Sequence, residues 1–228
     1  MAVTLLITIL PSLLIVTFFV MSDKFREPNK EIIKVFVYGI IITFPAFYLN
    51  TFLGGVFASR SISESLIRSF LTAAPVEETL KFCVLYFLVY KMKDFNEPID
   101  GIVYGVTVSL GFATLENFYY VYYVSDYFDS SARTFAIVRS FSAIPAHGVF
   151  GVTMGYFFMK YCFAKKQSNL FLCILVPFLL HGFYNFFAAD YFIASLLLII
   201  ISWIVLLRVF ARLKKSQKTK KKEYEKKV

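Results

Sequence analysis

Apolar residues in this chain come in unbroken runs of about twenty, the length that spans a bilayer as a helix, and that feature removes most folds from consideration. Nothing alternates apolar with polar as a membrane barrel requires, and helices are then the remaining way to pair every backbone N–H and C=O in lipid. The 228 residues are 58% hydrophobic and only 17% charged, more apolar than one soluble core of this size can absorb. Seven spans are predicted, at about 2–21, 32–54, 64–91, 99–124, 135–161, 169–188 and 191–210. The predicted class is all-α, a polytopic transmembrane helix bundle of about seven helices. The first run, Ala2 to Met21, has no basic stretch before it and no small-x-small cleavage site, so it reads as a retained span.

Charge orients the bundle. Lys24, Arg26 and Lys30 follow the first span, Lys91 and Lys93 the third, Lys160, Lys165 and Lys166 the fifth, and a lysine-rich tail the seventh. The alternate loops, around Arg60 and Glu64, Asp126 and Asp129, and Asp190, carry far less basic charge. By the positive-inside rule the N-terminus is expected outside and the C-terminus in the cytoplasm. Residues 1–212 then form the transmembrane bundle, with a motif-bearing core at about 64–188, and 213–228 form a basic cytoplasmic tail. Much of the net charge of +9 lies between Arg208 and Lys227, which fits a flank against anionic lipid heads and not a nucleic-acid surface. Cys83, Cys162 and Cys173 are few, odd in number and set among apolar residues, so they read as packing residues.

Ionisable side chains within a span are costly unless paired or hydrated, and each is a functional candidate. Glu77 and Glu78 sit midway along the third span with Lys81 one turn on; Glu116 and Asn117 lie toward the end of the fourth; His147 is mid-way along the fifth; His181 and Asn185 share a face of the sixth. Counted from the outer face at 1.5 Å per residue, Glu77 and His147 fall at roughly 20 Å and Glu116 and His181 at roughly 12 Å. Pro75 and Pro145 each precede one of these residues by two positions, and their kinks would open a hydrated pocket. Plainer roles exist for each feature. Glu77 and Lys81 have ion-pair spacing, and the asparagines and histidines could be helix–helix contacts. Gly101 with Gly105 and Gly151 with Gly155 read as small-xxx-small packing, Asp100 as the N-cap of the fourth helix, and Arg139 as a side chain reaching the outer interface. The plainer roles leave the coincidence in depth unexplained.

The chemistry that these residues suggest is activation of water, because general acids and bases are present and no nucleophile stands out. There is no His-Glu-x-x-His, every aspartate maps to a loop or helix end, and Thr107 stands where Gly-x-Ser-x-Gly needs its first glycine. Glu77 or Glu78 would take a proton from water, Glu116 would return one, and His181 with Asn185 could hold the oxyanion. Glu77, Glu116, His147 and His181 are also an ordinary ligand set for a divalent metal such as zinc, so water activation with and without metal are both open.

The motifs in order are Glu77-Glu78-x-x-Lys81, Asp100-Gly101 leading to Gly111-Phe112-x-x-x-Glu116-Asn117, His147, and His181-x-x-x-Asn185. As a set they resemble the PrsW family of bacterial membrane proteases, and more distantly the type II CAAX prenyl endopeptidases and the anterior-pharynx-defective subunit of gamma-secretase. The resemblance runs from about Pro75 to Asn185, roughly half the chain. It implies a peptidase of the bacterial cell membrane that makes the first, extracytoplasmic cut in a single-span anti-sigma factor under envelope stress, leading to sigma-factor release. In the wider superfamily the first motif ends in arginine one residue later and the second is Phe-x-x-x-His; Lys81 and Glu116 stand here, so water would be shared between two carboxylates. Two other functions fit buried acids of this kind. A proton- or cation-coupled transporter would be expected to show an inverted repeat, which is not detectable, and a non-catalytic scaffold binding a partner helix would tolerate Glu77→Gln.

Overall fold

The computed structural model describes residues 1–58, 63–128 and 130–225. Arg60, Asp129 and Lys227, which entered the charge reading, lie outside the described residues. Seven helical rods are formed in chain order: α1 Ala2–Ser22, α2 Asn29–Phe57, α3 at 64–87, α4 Pro98–Val124, α5 Ala132–Ala164, α6 Ser168–Asp190 and α7 Phe192–Glu225. Among the described residues there is no strand. Six of the seven rods are long and apolar enough to cross a membrane, the exception being α3, which carries the Glu-Glu-x-x-Lys motif. The chain is a multi-pass membrane protein.

Every residue of α4 from Ile99 to Thr114 is buried, whereas α1, α2 and α7 show rows of exposed leucine, isoleucine and phenylalanine. The most central helix is therefore the one with two glycine seams. On the α5 side, a Cβ on Gly101 would stand 2.8 Å from the carbonyl oxygen of Gly155, and one on Gly105 would stand 2.5 Å from that of Gly151. On the α2 side, Gly39 and Gly111 lie equally tight against the partner backbone. In lipid, where apolar side chains gain little by leaving their surroundings, close backbone approach supplies the dispersion energy that holds helices together. The small-xxx-small reading of the glycine pairs thus describes the core of the fold.

Three local features depart from the sequence reading. The N-cap of α4 is Glu97, and Asp100 is the third residue of a reciprocal capping box, its carboxylate accepting from the backbone N–H of Glu97 at 2.6 Å and of Asn96 at 2.8 Å. Pro98 at the first turn shifts the cap back, since its missing N–H costs nothing there. The fifth span is broken at Ser142 into Ala132–Phe141 and Ala143–Ala164, just ahead of Pro145. α7 stays helical to Glu225, beyond the boundary at 213, and Gln217 is buried. Cys83, Cys162 and Cys173 are free thiols within the packing.

Candidate active site

α3 reaches the site through an altered backbone. Its segment Ile67–Ala73 is π-helical, with the N–H of Ala74 donating five residues back to Ser69, and α-helix resumes at Ala74 with Pro75 in the first turn. Proline offers no N–H to the turn before it, and the wider π turn absorbs that loss. The following turn places Glu77, Glu78 and Lys81 inward, with Lys81 fully buried.

From α4, α5 and α6 come Glu116, His147 and His181, and all six side chains fall into one connected network. Lys81 Nζ donates to Glu78 Oε1 at 2.7 Å and contacts His147 Nδ1 at 3.1 Å. The other face of the ring, His147 Nε2, lies 2.9 Å from Glu116 Oε2. His181 Nδ1 lies 2.8 Å from Glu78 Oε1, while its Nε2 faces Glu77 Oε2 at 3.9 Å, too far for a hydrogen bond. An ammonium donating to His147 Nδ1 leaves the ring proton on Nε2, where Glu116 accepts it; a His181 proton donated to Glu78 leaves Nε2 as that ring's free base. Aromatic rings floor the site, with Lys81 Nζ 4.5 Å above the Phe112 ring and Phe150 stacked on His181 at 4.7 Å.

The five residues expected to share a site are thus brought together, with Lys81 at the centre of them. Every one is buried, so the proline kinks do not open the cluster to the surroundings in this conformation. Asn117 turns away, donating to the backbone of Thr8 at 2.8 Å and so tying α1 to α4. Asn185 is half-buried one turn beyond His181 and, among the described residues, makes no side-chain hydrogen bond.

Two members were missed by sequence reasoning. Arg139 does not reach outward to the interface: its Nε donates to Asn117 Oδ1 at 2.7 Å, its guanidinium lies 3.3 Å from Glu116 Oε2, and it covers the Tyr120 ring at 4.2 Å. A bare carboxylate within reach outcompetes the interface for a guanidinium, and the break at Ser142 swings the Arg139 helix over it. Asn50 of α2 approaches Glu77 Oε1 at 3.4 Å. An amide near the end of an otherwise apolar span was the available signal for it.

Charge counting shows what the cluster can hold. Glu77, Glu78 and Glu116 face two cations, Lys81 and Arg139, which leaves one carboxylate in excess while both imidazoles are neutral. Glu77 Oε2 and Glu78 Oε2 are buried without a hydrogen-bond partner. Glu77, His147 and His181 each offer a ligand atom, all within 4.8 Å of one another, and this acid-and-imidazole set suits a divalent ion once Lys81 releases His147 Nδ1. Glu116, the fourth candidate ligand, lies outside that trio, held between His147 and Arg139.

A model of the PrsW family of intramembrane metalloproteases matches residues 27–211. The chain belongs to the PrsW family. Proteins named Protease PrsW resemble it over most of their length: that of Geobacillus kaustophilus is 35% identical over 178 residues, covering 77% of this chain and 75% of the relative. That of Oceanobacillus iheyensis is 34% identical over 215 residues, covering 91% and 93%, and that of Bacillus subtilis 33% identical over 183 residues, covering 78% and 79%. No solved structure matches. As a PrsW family member the chain is a peptidase of the bacterial membrane, and the family match takes in every member of the buried cluster.

Proposed function

We propose that the chain cuts a membrane-anchored partner with water activated by Glu77, Glu78, Glu116, His147 and His181, on the extracytoplasmic side. The partner proposed is a single-span anti-sigma factor, whose first cut leads to sigma-factor release. The observation that carries the chemistry is the pair Glu77 Oε2 and His181 Nε2, facing each other at 3.9 Å, beyond hydrogen-bond reach, with Glu77 Oε2 unpartnered among the described residues. A water held there gives its proton to Glu77, the general base. Glu78, clamped by Lys81 and His181, fixes the ring tautomer on which that geometry depends. The leaving amine takes its proton from a relay in which Lys81 gives one to His147 Nδ1, His147 Nε2 gives one to Glu116 and Glu116 gives one to the amine, while Glu77, 3.8 Å from Lys81, returns to it the proton taken from water. Asn185, with no hydrogen bond of its own, is a donor for the oxyanion, alongside His181 or His147. When bound by Glu77, His147 and His181, a divalent ion such as zinc supplies Lewis-acid polarisation of water.

The substrate class follows from the likeness to the PrsW family, and the side of the cut from the basic loops. Co-expression with tagged single-span anti-sigma factors tests both, by immunoblot with and without a chelator. A truncated partner made by the wild type and missing with Glu77→Gln, Glu78→Gln and His181→Ala is the expected result. Unchanged cleavage by Glu77→Gln would sink the assignment of the base; cleavage lost only with chelator present would assign the bound ion to the reaction.

A further inference from the structure

A second group of buried acids lies at the other end of α4, and the peptidase chemistry does not use it. Asp23 and Glu27 come from the α1–α2 loop and Asp100 from the first turn of α4, and they are 3%, 6% and 1% exposed, which takes all three out of water. One oxygen from each falls within 4.8 Å of the others. The surrounding bonds aim these carboxylates inward. Asp100 is fixed by the capping box, Asp23 Oδ1 accepts from Phe25 N at 3.1 Å, and the Tyr104 hydroxyl donates to Glu27 Oε2 at 2.5 Å.

Gln217 of α7 supplies the observation that points to a ligand. Its side chain is 6% exposed, and its amide nitrogen donates to Asp23 Oδ1 and Glu97 Oε2, each at 2.8 Å. That leaves Gln217 Oε1 beside the acids with no donor among the described residues, and Asp23 Oδ2 is likewise unpartnered among them. Two orphaned, buried oxygens next to a knot of carboxylates are satisfied by a cation in a way that further acceptors cannot satisfy them.

We infer that Asp23, Glu27, Asp100 and Gln217 form a second cation site, taking a divalent ion that prefers oxygen, such as Mg²⁺, Mn²⁺ or Ca²⁺. An all-oxygen donor set distinguishes it from the imidazole-bearing cluster around His181, which favours zinc. It stands sixteen residues from Glu116 along α4, roughly 24 Å, and it is independent of the protease reading. The ion would fasten the α1–α2 loop, the start of α4 and the end of α7 to one another.

The test is metal titration of the full-length chain, purified in detergent and stripped with EDTA, with Mg²⁺, Mn²⁺ and Ca²⁺ each added alone. At least one ion raises the melting temperature saturably, by about 5 °C at a hundredfold excess over Kd. That shift persists in the Glu77→Gln/His181→Ala double variant and is lost in Asp23→Asn and in Glu27→Gln. Should the latter two fail to fold, Mn²⁺ binding to the double variant decides, counted by electron paramagnetic resonance. One ion retained supports the site and none overturns it. No response of the wild type to any of the three ions overturns it, as does a shift that Asp23→Asn keeps and the double variant loses.

Discussion

Lys81 is an ammonium with no exposed surface, set among two carboxylates, an imidazole and a phenyl ring. A charge so placed is tolerable because its partners are equally buried, and removing one partner strands the others. Lys81→Met should therefore destabilise the fold by about 3–5 kcal/mol, and Glu78→Gln added to it should restore part of that loss. Unfolding in mixed micelles graded with SDS measures both, and a double variant no more stable than Lys81→Met would count against the pairing. Arg139 stands apart from the proposed base, holding Glu116 and Asn117 with a forked group that lysine lacks. Arg139→Met should lower the cleavage rate by about 10–100-fold while the chain remains folded. Equal loss of folded protein would make Arg139 a structural brace only. At this scale the sequence was informative wherever polarity clashed with its surroundings, as at Glu77, Glu116, His147 and His181. Arg139 was misread because a cation near a span end has two places to go, and only the fold brings Glu116 within its reach. The acids Asp23, Glu27 and Asp100 sit in a loop or at a helix end, where carboxylates are unremarkable until the α1–α2 loop, the start of α4 and the end of α7 meet.

Between helices the decisive contacts are made by glycines. A side chain at Gly155 would drive into the α4 backbone at Gly101, where nothing can rotate aside, so Gly155→Val should cost about 3 kcal/mol or more. Gly54 near the end of α2 has open space around it, and Gly54→Ala should be neutral or add about 0.5–1 kcal/mol through helix propensity. Melting temperature and monodisperse yield separate the two; similar behaviour would argue against the seam. All seven helices were legible, with ends displaced by a few residues except at the end of α7, which runs on to Glu225, because apolar run length is a direct physical requirement of the bilayer. The break at Ser142 and the π-helical Ile67–Ala73 were not, although Pro145 and Pro75 marked their neighbourhoods. Proline announces a missing hydrogen bond; which distortion repairs it depends on what packs alongside.

Across the whole molecule, the basic loops are the basis for the proposed orientation, with the N-terminus outside and the C-terminal tail in the cytoplasm. On intact protoplasts an added protease should remove an N-terminal epitope and spare a C-terminal one, and the reverse pattern would invert the proposed side of cleavage. The architecture also constrains how the protein is made. α3 is the one rod too polar to count as a span, because Glu77, Glu78 and Lys81 lie in its middle; Lys81 pairs with both glutamates within the helix, and their further partners, His147 on α5 and His181 on α6, come later in the chain. Each such residue costs about 2.5–3.5 kcal/mol at the centre of a lone inserting helix. A ribosome-bound chain that has emerged only through α3 has one lysine for two glutamates and neither imidazole, so α3 is expected to complete its insertion only when the later helices arrive. Topology reporters fused near Lys93 should accordingly misplace the α3–α4 loop, whereas the same reporters fused after α7 should not. The helix that carries the Glu-Glu-x-x-Lys motif is thus expected to enter the membrane last among its neighbours, which would make assembly of the buried cluster and completion of the topology a single biosynthetic event.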